Sequence, residues 1–164
     1  MTIQPGDKLP SATFLQIGAA GPEPVASADV FKGKRVALFG LPGAYTGTCS
    51  TLHVPSFMRV APALRDAGVD AIVCVSVNDP FVMKAWGEAT GGADAGLTFL
   101  ADADGGFIKS IGLDFTAPPS GLIGRSQRFA ALVDDGEVKI LNVEPSAGEC
   151  NLSAGETLLA QMAA

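Results

Sequence analysis

The sequence predicts an α/β protein, a three-layer sandwich with a central mixed β-sheet flanked by helices, and three observations carry that reading. The apolar runs at residues 36–41 and 69–77 are nearly unbroken, as in strands buried on both faces of a sheet with parallel neighbours. Each is followed by a helical pattern, so the first half reads strand, helix, strand, helix. The second half closes on two strands joined by Asp134-Asp135-Gly136, a hairpin signal, and then a helical stripe of Leu158, Leu159 and Met162. A βαβ half followed by a ββα ending fits this class.

The elements follow in order. Pro5-Gly6-Asp7-Lys8-Leu9-Pro10 is a turn-rich lead-in, residues 12–17 form a short strand, and residues 18–24 a loop. Gly33-Lys34 turns the chain into the central strand, which Pro42-Gly43 stops. The next helix runs to about Ala67 with Phe57, Val60, Ala61 and Leu64 on one face and Gly68 as its stop. Pro55 and Pro62 lie inside it and predict a kink or a division. After the strand at 69–77, Asn78-Asp79-Pro80 opens a helix whose predicted apolar stripe is Phe81, Val82, Ala85, Trp86 and Ala89, with Phe81 and Trp86 in the core. A strand at 97–101, a turn at 102–106, a short helix at 107–113 and a loop through Pro118, Pro119 and Gly121 lead to strands at 129–133 and 137–143. Ser153-x-x-Glu156 reads as a capping box on the last helix.

At 164 residues the chain, 1–164, reads as one domain with room for a substantial core. A formal charge of -6 argues against nucleic acid, which calls for basic patches. No apolar stretch approaches the length needed to cross a bilayer, and no leader pattern opens the chain, so neither membrane nor export is expected. Three widely spaced cysteines argue against a disulfide framework and for a reducing, cytoplasmic setting.

The chemistry concentrates between Val36 and Phe57. Thr46, Cys49, Leu52 and His53 fall at the spacings that share one helix face, which puts Cys49 in a first turn. First-turn N–H groups have no intrahelical partner and carry the positive end of the helix dipole, so they favour a thiolate, the nucleophilic form. Thr46 offers a hydroxyl that both accepts and donates, and Pro42, lacking an N–H, presents a dry wall. Such a site suits attack on a small, polar electrophile with water held away.

The spacing Pro42-x-x-x-Thr46-x-x-Cys49 resembles the active-site signature of the peroxiredoxins, thiol peroxidases on a thioredoxin-like fold. The longer string GLPGAYTGTCSTLHVPSF is similar to the type II, or type five, branch. CVSVNDPFVMKAW, LADADGGF and RSQRFAALVDDGEVKILNVEP are further matches in the same order. The resemblance implies that Cys49 attacks a hydroperoxide and becomes a sulfenic acid. It places the family's catalytic arginine at Arg128, with Arg125 the competitor and otherwise a surface cation. It also implies a non-covalent homodimer formed near the active-site loops. No metal, flavin or haem is called for.

His53, the only histidine, is a general base, a residue that supports the site from behind the groups on the sulfur, or a residue of the helix surface or an interface. Asp102, Asp104 and Gly105 lack the spacing of a calcium loop. Some relatives carry a cysteine in the strand of Cys74, and others a resolving cysteine in the region of Cys150. Cys74 in an apolar strand is otherwise an inert buried thiol, and Cys150 lies in a polar, accessible loop. Because an internal disulfide needs two close, facing cysteines, recycling is expected from an external thiol, namely glutathione, glutaredoxin or thioredoxin. A dithiol oxidoreductase would want Cys-x-x-Cys, but positions 46 and 52 are Thr and Leu. A peroxide sensor or holdase using the same thiol is the remaining alternative.

Overall fold

The computed structural model describes residues 2–163. In chain order its strands are β1 (Thr13–Gly18), β2 (Gly21–Ala26), β3 (Arg35–Gly40), β4 (Ala71–Ser76), β5 (Thr98–Ala101), β6 (Asp114–Ala117), β7 (Leu122–Ser126), β8 (Phe129–Asp134) and β9 (Glu137–Val143). Seven form one mixed sheet in the order β2-β1-β5-β4-β3-β8-β9, while β6 and β7 pair as a separate antiparallel ribbon. β3, β4 and β5 are parallel, and β8 runs antiparallel to β3. The helices are α1 (Ser27–Phe31), α2 (Val54–Asp66), α3 (Pro80–Ala89), α4 (Gly106–Ser110) and α5 (Gly155–Met162).

Alternation along the central strands explains the three layers. Ala37 and Phe39 of β3 and Ile72 and Cys74 of β4 point to the face covered by α2, α3 and α5. Val36, Leu38, Val73 and Val75 point to the other, covered by α1 and α4. Both faces are apolar because both are buried, hence the unbroken hydrophobic runs.

The long helix begins before α2. Helical backbone starts at Gly47, passes through a π turn at Cys49–His53 and becomes regular at Val54. Pro55 has no N–H for an ordinary helical bond, and just before it the Val54 N–H reaches back five residues to the Cys49 carbonyl. The expected irregularity therefore takes the form of a π turn beginning at the cysteine. α2 ends in a Schellman motif: the Val69 N–H donates to Leu64 and the Gly68 N–H to Arg65, with Gly68 at φ 95°.

Four expectations are corrected. Residues 18–24 are not all loop, since β2 pairs with β1 along its whole length; Pro22 and Pro24 are tolerated because β2 is an edge strand. The region around Pro118 holds the β6–β7 ribbon on either side of a short 3₁₀ turn. α3 buries Pro80, Met83, Trp86 and Gly87, whereas Phe81 is 62% exposed. The capping box does not form: Glu156 pairs with Arg59, among the described residues the Ser153 hydroxyl has no hydrogen-bond partner, and Ser56 Oγ accepts the Gly155 N–H. A Cβ on residue 155 would lie 2.8 Å from the Ser56 carbonyl, so packing of α5 on α2, rather than a local cap, sets where this helix starts.

Candidate active site

The segment that follows β3 carries Pro42, Thr46 and Cys49, and Arg128, immediately before β8, reaches Cys49 from the other half of the chain. Cys49 is fully buried among apolar side chains. Arg128 Nη2 donates to its Sγ at 3.2 Å. Among the described residues the Thr48 and Cys49 N–H groups have no backbone acceptor, as expected in a first turn.

Arg128 is 2% exposed and pairs with no carboxylate among the described residues. Its Nε and Nη2 donate to the Ala147 carbonyl at 3.3 and 3.0 Å, and its Nη1 donates to His53 Nδ1 at 3.0 Å. A guanidinium carries five N–H groups, so one on Nη1 remains uncommitted. This buried cation, with no carboxylate beside it among the described residues, thus has the Cys49 sulfur, the His53 ring and the Ala147 carbonyl as its partners.

The histidine is neither the general base nor the helix-surface or interface residue; it stands behind Arg128, the supporting place also considered for it. His53 is fully buried, not on a helix surface or at an interface. Its Nε2 lies 3.0 Å from the Ser153 carbonyl, an acceptor, so the ring proton resides there and Nδ1 accepts from Arg128. Burial, and then the Arg128 charge, lowers its pKa from 6.5 to about 3. Both nitrogens are committed to groups other than the sulfur, which excludes a general base at Cys49. Its geometry instead orients Arg128.

Thr46 Oγ1 donates to the Gly43 carbonyl at 2.7 Å. Its single proton is thus occupied, which leaves the oxygen to act as an acceptor, not as acceptor and donor together. The Pro42 carbonyl accepts from Arg125 Nη1 at 3.0 Å, so Arg125 is neither on the sulfur nor a free surface cation. Asn78 Oδ1 accepts the Ala44 N–H at 3.0 Å and the Ser76 hydroxyl. Asp79, not Asn78, caps α3, and this division of labour is not visible in Asn-Asp-Pro.

A strap at residues 144–153 closes the site. Glu144 Oε1 accepts the N–H groups of Asn151, Leu152 and Ser153, and Thr48 Oγ1 donates to the Gly148 carbonyl. Glu144 was not among the sequence candidates, since an acid after a strand carries no signal of its own. Cys150 lies in this strap, half-buried rather than freely accessible, and burial raises its pKa. Cys74 is fully buried on the Cys49 side of the sheet, and its pKa is raised well above the usual thiol value by burial and then by the Cys49 charge. Among the described residues no cluster of three or more His, Cys, Asp or Glu is placed to hold a metal, and no helix is long and apolar enough to cross a membrane.

Comparison with known proteins gives concordant matches. The Redoxin family model matches residues 4–159. Peroxiredoxin-2B of Arabidopsis thaliana is 44% identical over 158 residues, 96% of either chain. The mitochondrial peroxiredoxin-2F of the same plant is 46% identical over 82% of this chain and 66% of its own length, so this chain spans about two thirds of that relative. Reduced Prx3 of Vibrio vulnificus in complex with H2O2 superposes with a TM-score of 0.90 at 44% identity, covering 98% of this chain and 99% of that one.

Proposed function

This chain belongs to the Redoxin family as a type II peroxiredoxin, a thiol-dependent peroxidase, and we propose that Cys49 is the sulfur that attacks the peroxide. The Cys49 thiolate attacks the terminal oxygen of a hydroperoxide, the S–O bond forms as the O–O bond breaks, and the attacked oxygen keeps its hydrogen as the sulfenic acid. The departing oxygen takes up a proton and leaves as water or an alcohol. The 3.2 Å contact between Arg128 and Cys49 carries the assignment.

Each neighbour then has a role its geometry supports. Thr46 Oγ1 accepts the O–H of the attacked oxygen, which orients the peroxide toward the sulfur. The uncommitted Arg128 Nη1–H and the unpaired N–H groups of Thr48 and Cys49 are donors for charge developing on oxygen; one such donor in a dry site is typically worth about 3 kcal/mol. Pro42 walls the site and His53 holds Arg128 in place. The test is peroxide consumption with a thiol reductant in excess: Cys49→Ser is expected to lose it with its fold intact, and turnover at the wild-type rate would remove the assignment. Repeated turnover also separates a peroxidase from a sensor, which is oxidised once and stops.

The sulfenic acid must next be reduced by a thiol, and we assign this to an external one of the glutathione, glutaredoxin or thioredoxin class, because neither Cys74 nor Cys150 is free to attack. Three unpaired thiols favour a reducing compartment such as the cytoplasm. A homodimer is supported by exposed Tyr45, Phe81 and Ile123. The bonds from Asn78 to Ala44 and from Arg125 to Pro42 tie the segments that carry Phe81 and Ile123 to the active-site turn that carries Tyr45.

A further inference from the structure

Arg125 lies three residues before the arginine on the sulfur, yet its guanidinium reaches a different part of the site. β7 holds it opposite Phe115, and from there Nη1 donates to the Pro42 carbonyl, 83 positions away in sequence. The approach is close: a Cβ on residue 43 would stand 2.4 Å from that nitrogen, so only glycine lets the cation settle there. Arg125 pairs with no carboxylate among the described residues, and this carbonyl is its hydrogen-bond partner. A hydrogen bond from a charged donor is stronger than a neutral one.

The held segment needs holding. Tyr45 has φ 63°, a left-handed backbone that a bulky aromatic residue avoids, and such a conformation persists only where its surroundings over-determine it. Three restraints bear on residues 42–46: Arg125 on the Pro42 carbonyl, Asn78 on the Ala44 N–H, and the Thr46 hydroxyl on the Gly43 carbonyl. The last sets the rotation of the Thr46 hydroxyl, and its acceptor belongs to the residue packed against Arg125.

We infer that Arg125 is a positioning residue for peroxide: by fixing Pro42-Gly43 it fixes the carbonyl that orients Thr46, and it acts on the reaction through Thr46 rather than through the sulfur. The inference rests on the peroxidase reading of Cys49 and Thr46.

Two rates separate this role from a structural or electrostatic one. Oxidation of Cys49 by hydrogen peroxide requires Thr46, whereas its alkylation by iodoacetamide reads the sulfur alone. Arg125→Met removes the donor and keeps an apolar stem. Peroxide oxidation is expected to slow by about 10- to 100-fold, the scale of an ångström-level misplacement, with alkylation unchanged. In a Thr46→Val background the same substitution is expected to have little further effect, and Arg125→Lys is expected to recover part of the rate. An unchanged peroxide rate, a parallel fall in alkylation, or a full additional loss in the Thr46→Val background would each overturn the role of Arg125. Should Arg125→Met fail to fold by circular dichroism, Arg125→Lys is read on the same two rates, with slowed oxidation and unchanged alkylation again expected. A wild-type chain that consumes no peroxide would remove the peroxidase reading itself; normal wild-type turnover with an unaffected Arg125 variant removes only this inference.

Discussion

Arg128 Nη1 donates to His53 Nδ1 at 3.0 Å inside the protein, so the only histidine of the chain must stay neutral for the arginine beside Cys49 to stay in place. Protonating Nδ1 would remove the acceptor and set two buried cations face to face. The linkage follows from the lowered pKa. Between the unfolded value near 6.5 and the folded value of about 3, the unfolded chain binds a proton that the folded chain refuses. Stability from this group is fully present above pH 6.5 and is lost as pH falls through that window. At pH 5 the loss is about 2 kcal/mol relative to pH 8. Urea unfolding at the two pH values should show wild type losing that much more than His53→Gln. Equal losses would mean that His53 does not carry the effect.

The same pair bears on the reaction. With His53→Ala the Nη1 acceptor is gone while the bond from Nη2 to the sulfur can survive, so sulfenate formation should slow but not stop. Arg128→Lys should be much worse, because an ammonium cannot reach the sulfur, His53 and the Ala147 carbonyl together as the planar fork does. We expect stopped-flow oxidation to slow about 100-fold or more in Arg128→Gln and Arg128→Lys. A rate near wild type for Arg128→Gln would move the catalytic role away from this arginine.

Thr46 gives a sharper contrast. Since its proton is engaged by Gly43, the oxygen is what a peroxide meets, and Thr46→Ser keeps both features while Thr46→Val keeps neither. Oxidation should be near normal in the serine variant and slower by about 100-fold in the valine variant. A valine variant near the wild-type rate would remove the hydroxyl from the reaction, and a serine variant as slow as the valine one would show that the methyl group is needed beside it.

Much of the arrangement was legible because it rests on local patterns. The buried strands at β3 and β4, the Gly68 stop and the Asp134-Asp135-Gly136 hairpin each follow from a few adjacent residues; Asp135 and Gly136 do adopt the positive φ of the turn. The placement of Cys49 near the start of a helix was legible for the same reason. What was hidden depends on partners far along the chain. His53 looked peripheral because the strap that covers it lies 100 residues away. Ser153 and Glu156 had the spacing of a capping box, but Arg59 and Ser56 compete for the groups the box would use. Phe81 shows the limit of an apolar stripe: Met83, Trp86 and Gly87 fill the face that α3 turns inward, which leaves Phe81 outside.

That exposure leads to the assembly prediction. Tyr45, Phe81 and Ile123 are each more than half exposed; Tyr45 lies in the active-site turn, Phe81 follows Asn78, which binds Ala44, and Ile123 precedes Arg125, which binds Pro42. If they meet a second copy, the chain should run as a dimer by light scattering at micromolar concentration, and Phe81→Glu should shift it to monomer without loss of helical signal. A wild-type monomer at high micromolar concentration would remove the dimer.

Recycling is the remaining step, and the two spare thiols decide it. Attack on a sulfenic acid needs a thiolate, yet burial raises the pKa of both Cys74 and Cys150. Cys74 is walled in by the core, and exposing it would cost the packing of β4. Cys150 sits in a strap fastened by Glu144 to three N–H groups, by Thr48 to Gly148, by Arg128 to Ala147 and by His53 to Ser153. An internal bridge to Cys49 would require its Cα to come within about 7 Å with the side chains facing, at the cost of several of those bonds. Two of the fastenings, His53 and Arg128, also hold the arginine on the sulfur, so a strap released for resolution would dismantle the site that has just reacted. The sulfenic acid should therefore persist until an outside thiol arrives. Intact mass after one equivalent of peroxide, with a sulfenic-acid trap present, should show one adduct, located on Cys49. A loss of two hydrogens instead, absent in Cys150→Ser and without dimer formation, would establish an internal bridge and make the strap a moving part of the cycle.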